Sequence, residues 1–413
     1  MRCTAQLLLA LFGLWTANLA EGQVTFDEAL ALGAESPMGQ RARRALAVRE
    51  AGDASIGGTA QATTVMVMPG AVLTPDQQRG FDLQINATQG WNLADLGGAR
   101  RDAADEERRA LSARARAEAL RARLEAAHAW IELRTLESLA AILAEQREVA
   151  RRLVSTSERA SRAGVATEAD LADARAALAE VEQQGLELEG RRFERSTRLS
   201  VAMGRAGGSL RTAGAPPEPQ LPALRVLRRR VASAEQMPSV VAWRLTALAA
   251  RAREAEVSAQ YAPVLQVGAQ LERSASNAWT LYGIAGLSFN GFHQADRGTS
   301  LARAQTQDAA TEAEAARLRA RAELDAALHE VEHSRRRLQA IDEQLLPALI
   351  ALRERRRRAL ELGEETVFVT LDSERRTLAG QELQARARGE QLWAEVRIWM
   401  LLAELDGGTE SQQ

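Results

Sequence analysis

The sequence predicts a mainly α-helical protein with a membrane β-barrel portion, in which one helix–β–β–helix–helix arrangement occurs twice. Three observations predict this fold class. Long stretches rich in Ala, Arg, Glu and Leu favour helices, short segments alternate between apolar and polar residues, and similar segments recur about 200 residues apart. Together they indicate an internal duplication in which long helices flank short pairs of strands.

The composition narrows the class of protein before any motif is considered. The 413 residues carry a net charge of −2, and all the positive charge is arginine because the chain contains no lysine. This balance argues against a nucleic-acid partner, which requires a basic face or tract. Aromatic residues make up only 4% of the chain, too few for a conventional globular core of this size, whereas long helices packed through Ala and Leu need fewer.

The first residues have the pattern of a secretory signal peptide. Arg2 provides a positive start, residues 7–15 are apolar, and small residues follow. We therefore expect residues 1–22 to be removed, with cleavage after Ala20 or Gly22. Cys3 lies inside this segment, so we expect the mature chain to have no disulfide and no lipid anchor. The apolar run is too short to span a bilayer as a helix.

The two halves of the chain correspond to each other. The segment around Pro37 resembles the segment around Pro238, and Gly164 and Gly363 stand at equivalent positions, with a Gly- and Pro-rich stretch between the halves. We predict a first repeat at 23–206 with strands near 59–93 and a helical hairpin at 98–204, a linker at 207–222, a second repeat at 223–406 with strands near 263–292 and a hairpin at 297–405, and a disordered tail at 407–413.

The predicted strands have one apolar face, which is the pattern of transmembrane β-strands. A half-buried strand of a soluble sheet alternates in the same way, so each segment alone leaves both interpretations open. Trp91 and Trp279 stand near strand ends, where aromatic residues meet the membrane interface. The residues predicted to face lipid are Leu83, Ile85, Leu265, Val267, Leu281 and Leu287.

The helical stretches are too long for an ordinary globular domain. Residues 98–156 contain no proline, and residues 297–362 contain only Pro347. A helix of about 60 residues spans roughly 90 Å, the length of a coiled-coil rod. Four short strands cannot close a barrel, because the smallest membrane barrels have about eight. The open sheet edges therefore predict oligomerisation.

Three segments resemble the outer-membrane efflux channels of the TolC family. They are TFDEALALGAESP in the first helix, RAGVATEADLADARAAL at the first hairpin turn and LELGEETVFVTLDSERRTLAGQELQ at the second. Within the family, WNLADLGGARRDA and LSFNGFHQADRGTSLARAQ are most similar to heavy-metal members of the CzcC type. Ala99 departs from that pattern, because those members have a lysine there.

The resemblance implies a homotrimer in which four strands per chain form a 12-stranded barrel continuous with an α-helical periplasmic tunnel. It also implies an outer-membrane location in a Gram-negative bacterium and a passive, non-enzymatic role without cofactors. The implied partners are outer-membrane lipid, a periplasmic adaptor and an inner-membrane pump of RND type, and the implied cargo is heavy-metal cations or drugs. A periplasmic adaptor or coiled-coil scaffold protein is the alternative function.

The resemblance further assigns a gate and two hairpin turns. Asp372 matches one carboxylate of the ring that narrows the periplasmic end of the tunnel in this family, whereas Val369 replaces the other. Glu364 and Glu365 either supply the missing charge or are solvated turn residues. A ring of carboxylates attracts cations. The assigned turn residues are Gly164, Thr167, Asp170, Gly363 and Thr366.

One motif points to different chemistry. His329, Glu330 and His333 spell HEVEH, the pattern in which two histidines one turn apart bind zinc in metalloproteases. A catalytic zinc also needs a third ligand and a walled cleft, and no histidine follows at the required spacing. We therefore interpret the pair as a surface feature and predict no catalytic, cofactor-binding or metal site, with zinc proteolysis as a minor alternative.

Overall fold

A computed structural model of the protein describes residues 22–53, 63–73, 79–231, 234–273, 278–289 and 292–410. The predicted signal peptide lies outside the described residues except for Gly22, and so does the end of the predicted tail, residues 411–413.

The described chain is mostly helical. Short helices precede each pair of strands, and long helices follow it. The helices are α1 (Phe26–Glu35), α2 (Pro37–Asp53), α3 (Leu96–Arg162), α4 (Glu168–Ala202), α5 (Leu224–Val231), α6 (Pro238–Gln260), α7 (Phe292–Ala340), α8 (Leu346–Glu361) and α9 (Val367–Glu410).

Four strands form an open antiparallel sheet. The strands of the chain are β1 (Gly22–Val24), β2 (Thr64–Leu73), β3 (Arg79–Asn92), β4 (Leu210–Thr212), β5 (Val264–Arg273) and β6 (Trp279–Ser288). The sheet order is β2-β3-β5-β6, so the two predicted strand pairs meet through β3 and β5, and β2 and β6 are the edges.

The two hairpins begin earlier in the chain than predicted. α3 starts at Leu96 and α7 at Phe292, rather than at positions 98 and 297. Asp95 accounts for the first start, because its Oδ1 accepts a hydrogen bond from the backbone N–H of Gly98 at 3.0 Å and so satisfies one donor that a first helical turn leaves open. At the other end of the chain, α9 reaches Glu410, inside the predicted tail.

Pro347 marks a break in the second long rod. A π turn (Ile341–Leu345) separates α7 from α8 immediately before it. Proline lacks a backbone N–H and its ring obstructs the carbonyl four residues earlier. The wider turn takes up one extra residue, and Pro347 then falls in the first turn of α8, where a missing donor is tolerated.

The chain forms two compact units. The first comprises the described residues of 22–41, 116–237 and 320–410, and the second those of 42–115 and 238–319, which include the four-stranded sheet. Within the described part of the chain, no helix combines the length and the apolar character that a bilayer crossing requires.

Trp130 anchors the core of the first unit. Its side chain is fully buried, meets the Phe26 ring edge to face with centroids 5.5 Å apart, and donates its indole N–H to the Val24 carbonyl at 2.8 Å. Val24 belongs to β1, which pairs in parallel with β4. Glu137 of α3 accepts the Thr212 backbone N–H at 3.1 Å. The segment predicted as a linker therefore includes a strand held against α3.

Candidate functional site

The strand register places the six predicted lipid-facing residues on one face of the sheet. Directly paired residues of an antiparallel sheet point to the same side. One apolar row crosses all four strands, from Val67 through Ile85 and Leu271 to Leu281, and a second row joins Trp91, Leu265 and Leu287. Leu281 is 70% exposed and Leu287 55% exposed. An exposed apolar surface of this extent is typical of a membrane or protein interface.

The opposite face of the sheet is mostly polar. Its residues are Gln84, Asn86 and Thr88 on β3, Gln266, Gln270 and Glu272 on β5, and Thr280, Tyr282 and Ser288 on β6. The apolar exceptions on this face include Met66 and Met68 of β2, Val264 of β5 and Ile284 of β6. The sheet thus has a mainly apolar side and a mainly polar side.

Both predicted interfacial tryptophans lie on the apolar face. Trp91 is 46% exposed near the end of β3, and Trp279 is 53% exposed at the start of β6. The Arg273 guanidinium lies 5.7 Å from the centre of the Trp279 ring, which is a cation–π distance. An aromatic ring beside a cation at a strand end fits a boundary between apolar and polar surroundings.

The two hairpin turns share one backbone geometry. Gly164 and Gly363 have φ values of +70° and +76°, a left-handed conformation that glycine adopts without strain. The following N–H groups, of Val165 and Glu364, donate to carbonyls five residues earlier, each at 2.9 Å. These are the hydrogen bonds of a helix that ends in a Schellman motif. No atom lies within 4 Å of a Cβ placed on either glycine, so conformation rather than space requires glycine here.

The helices that leave the turns are capped differently. Before α4, the Thr167 Oγ1 accepts the Asp170 N–H at 3.2 Å, and the Asp170 carboxylate accepts the Thr167 N–H at 2.8 Å. Hydrogen bonds from the Thr167 side chain and then its backbone lower the pKa of Asp170. Before α9, Thr366 has a 3.5 Å contact with the Val369 N–H. Val369 occupies the position of Asp170 and has no carboxylate to accept the Thr366 N–H in return. The first turn is therefore the better capped.

We predict that Thr167→Ala destabilises its hairpin by about 1 kcal/mol, the usual cost of losing an N-cap hydroxyl. Thr366→Ala is the matched control and should cost less, because valine cannot complete a reciprocal cap. Thermal unfolding of both variants measures the difference. The stabilisation of the folded state by the Asp170 carboxylate is present at neutral pH, above the pKa of an unfolded carboxyl group. It is lost as the pH falls through the lowered pKa of Asp170 in the folded state. Equal losses for the two variants would contradict this account.

Asp372 lies among three arginines. Its carboxylate is 2.9 Å from the Arg376 Nε, 3.7 Å from an Arg356 amino nitrogen and 3.8 Å from one of Arg375. Arg356 comes from α8 and also donates to the Val369 carbonyl at 3.0 Å. The Asp372 side chain is 33% exposed. Its carboxylate thus ties α8 to α9. The sequence did not identify Arg356 as the partner, because that contact depends on how the two helices align.

The neighbouring acidic residues divide into paired and unpaired groups. Glu374 accepts a hydrogen bond from Arg152 of α3 at 2.9 Å, which links the two hairpins. Glu364 is exposed and Glu365 half-buried, and neither forms an ion pair with another described residue. The structure does not bring Glu364 or Glu365 to Asp372 through any described hydrogen bond or ion pair. No sequence pattern signalled Arg152 or Glu374, since they are 222 positions apart.

The HEVEH residues lie on α7 without the surroundings of a protease. His329 and His333 are both exposed, with ring centroids 6.2 Å apart and planes 15° from parallel. Glu330, which would be the catalytic base, instead accepts a hydrogen bond from Arg397 at 3.2 Å. Among the described residues, no group of three or more His, Cys, Asp or Glu side chains could hold a metal ion.

Comparison with known proteins gives a family match over part of the chain and a fold. The model of the family "Outer membrane efflux protein" matches residues 41–205. No curated protein has a significantly similar sequence. Among solved structures, the Campylobacter jejuni CmeC outer membrane channel is 13% identical, with a TM-score of 0.72 over 93% of this chain and 86% of that one.

Two further structures agree. The outer membrane protein VceC of Vibrio cholerae is 20% identical, with a TM-score of 0.66 over 92% of this chain and 95% of that one. The open-state MtrE outer membrane channel of Neisseria gonorrhoeae is 14% identical, with a TM-score of 0.68 over 91% and 88%. The chain therefore has the fold of outer-membrane channel proteins, and its residues 41–205 carry the sequence pattern of the outer membrane efflux protein family.

Proposed function

We propose that this chain is the channel subunit of an outer-membrane efflux system and works as a homotrimer without enzymatic chemistry. The open sheet carries the proposal: it has one apolar face, and the outer edges of its two edge strands, β2 and β6, pair with no other strand of the described chain. Pairing β6 of one copy with β2 of the next would satisfy both edges around a threefold axis. Three copies would then form the 12-stranded barrel, with lipid outside and the polar face inside.

The long hairpins would form the periplasmic tunnel of the same assembly. The first hairpin is α3 with α4, the second is α7 and α8 with α9, and the Arg152–Glu374 pair joins them within one chain. A periplasmic adaptor and an inner-membrane pump, of RND type by the family resemblance, would deliver heavy-metal cations or drugs to this tunnel. The CzcC-like segments favour metal cargo.

The test of the function is export by cells. A Gram-negative strain that lacks its own efflux channels would receive this chain together with its cognate adaptor and pump. We expect lower accumulation of a fluorescent dye or of a metal cation, and the chain in the outer-membrane fraction as a trimer. Release of the protein from the membrane fraction by a detergent-free wash would favour the adaptor alternative and contradict the channel proposal.

We propose that the second turn forms the periplasmic gate, with Asp372 facing the narrowed lumen. Each chain would contribute one carboxylate and three guanidinium groups to this ring. A carboxylate already held by arginines attracts cations less than an unpaired carboxylate does. The group formed by Asp372 and its three arginines would therefore be net positive, and Asp372 would offset part of that charge. Glu364 and Glu365 would add negative charge in the same turn.

We predict that Asp372→Ala shifts the reversal potential in planar bilayers toward anion selectivity and raises the conductance, because the α8–α9 tie is lost. Arg356→Gln removes the same tie but leaves the carboxylate, so it should raise the conductance while shifting selectivity toward cations. Asp173→Ala is the matched control, since exposed Asp173 holds the equivalent position in the first hairpin. Unchanged selectivity in both gate variants would place the constriction elsewhere.

A further inference from the structure

The HEVEH segment of α7 carries a feature that the proposed channel does not use. We infer that His329 and His333 form a two-imidazole binding site for a divalent transition-metal cation such as Cu²⁺, Ni²⁺ or Zn²⁺. Residues four apart on a helix lie one above the other on one face. Here both side chains are exposed, their ring centroids are 6.2 Å apart and their planes differ by 15°. A metal ion can therefore reach both rings from solvent.

The helix holds the two imidazoles in place before any metal arrives. Val331, between them in the sequence, is fully buried, and Leu328 and Ser334 on either side are buried as well. This buried stripe fixes the rotation of α7, so the histidines cannot turn inward. The spacing of the ligands is thus set by folding, and binding does not have to order the backbone.

Glu330 and Glu332, which stand beside the histidines in the sequence, are engaged elsewhere. Glu330 is hydrogen-bonded to Arg397 at 3.2 Å, and Glu332 to Arg228 of α5 at 2.7 Å. The site is therefore built from nitrogen donors, which suit Cu²⁺, Ni²⁺ and Zn²⁺, whereas Ca²⁺ and Mg²⁺ require oxygen ligands. Two protein ligands leave the remaining coordination positions to water.

The surrounding charge makes the site weak and exchangeable. Arg228 comes close through its pair with Glu332, and Arg336 follows one turn after His333, with its Nε donating to the Glu332 carbonyl at 3.2 Å. These guanidinium groups repel a cation. The same arrangement argues against a protease, because Glu330, which would be the base, is hydrogen-bonded to Arg397.

The experiment is a titration of the detergent-solubilised protein with CuCl₂ or NiCl₂. The protein is purified through an affinity tag that contains no histidine. Calorimetry should give one metal ion per chain, and paramagnetic resonance of the Cu²⁺ form should show two equatorial nitrogens. His329→Asn and His333→Asn should each weaken binding well beyond the roughly tenfold typical of losing a residue behind a metal ligand. Glu330→Gln should bind metal like the unaltered protein.

Two controls separate this site from adventitious binding. His128→Asn should leave the affinity unchanged, since His128 is half-buried and packs on Trp393 with ring centroids 4.3 Å apart. The double variant His333→Asn, Arg337→His keeps the number of histidines but moves the second one two turns from His329, about 12 Å along the axis, and should lose the site. Wild-type affinity in that double variant, or in H329N/H333N, would overturn the proposal.

Discussion

Val267→Arg is expected to abolish most outer-membrane assembly of the chain. Val267 lies at the middle of β5 on the apolar face, paired with Gln89 and Ala285. It is 41% exposed in the single chain, so an arginine there meets no packed core before insertion. In a membrane barrel it would meet hydrocarbon at a cost of about 2–4 kcal/mol near the midplane. Heat-modifiable trimer on gels of the outer-membrane fraction measures the effect.

Gln266→Arg is the matched control for this variant. Gln266 is the preceding residue on the same strand, it lies on the polar face, and its pairing partners are Gly90 and Gly286, which leave room for a longer side chain. We expect near-normal assembly, because the guanidinium would face water. Equal defects in both variants would show that the two faces of the sheet are not lipid and lumen as proposed.

Trp130→Ala is expected to destabilise the first unit by about 3–5 kcal/mol, the usual cost of removing a large buried aromatic side chain. The loss combines the packing against Phe26 with the hydrogen bond to the Val24 carbonyl. Trp130→Phe should cost less, because it keeps an aromatic ring and removes only the hydrogen bond and part of the volume. Thermal melting followed by circular dichroism in detergent measures both variants.

Trp399→Ala provides the control for that series. Trp399 lies on α9 and is 40% exposed, so its removal opens no enclosed cavity. Its melting temperature should stay close to that of the unaltered protein. A loss as large as that of Trp130→Ala would mean that burial at β1 and α3 is not what holds this unit together.

The larger elements could be predicted because they repeat and because they are long. The strand register agrees with the apolar and polar alternation from which lipid-facing positions were predicted. Ile85, Leu271 and Leu281 are direct neighbours in one row. Gly164 and Gly363 were recognisable as turns because a left-handed residue must end each helix. These features depend on residues close together in the sequence, so they can be recognised in a single sequence.

The remaining features depend on contacts between distant segments. β4 is three residues long and pairs with β1, which is distant in the sequence. Because β4 lies in a Gly- and Pro-rich segment, the local sequence predicted a linker there instead of a strand. The individual arginines around Asp372 could not be named from the sequence for a similar reason: Arg356 reaches it from another helix, and the chain is so rich in arginine that no single one stands out. Predicting the charge around Asp372 requires the alignment of α8 with α9.

The π turn before Pro347 has a consequence for how such rods change length. On its two sides the buried stripe of the second rod continues from Ile341 to the half-buried Leu346 with a step of five residues, where an α-helix would use three or four. The π turn thereby takes up one extra residue while the stripe keeps facing α9. In this turn Asp342 accepts a hydrogen bond from Gln384 of α9 at 2.6 Å. A rod of this kind tolerates insertion of a single amino acid, whereas a continuous α-helix would have its contact face rotated by about 100°.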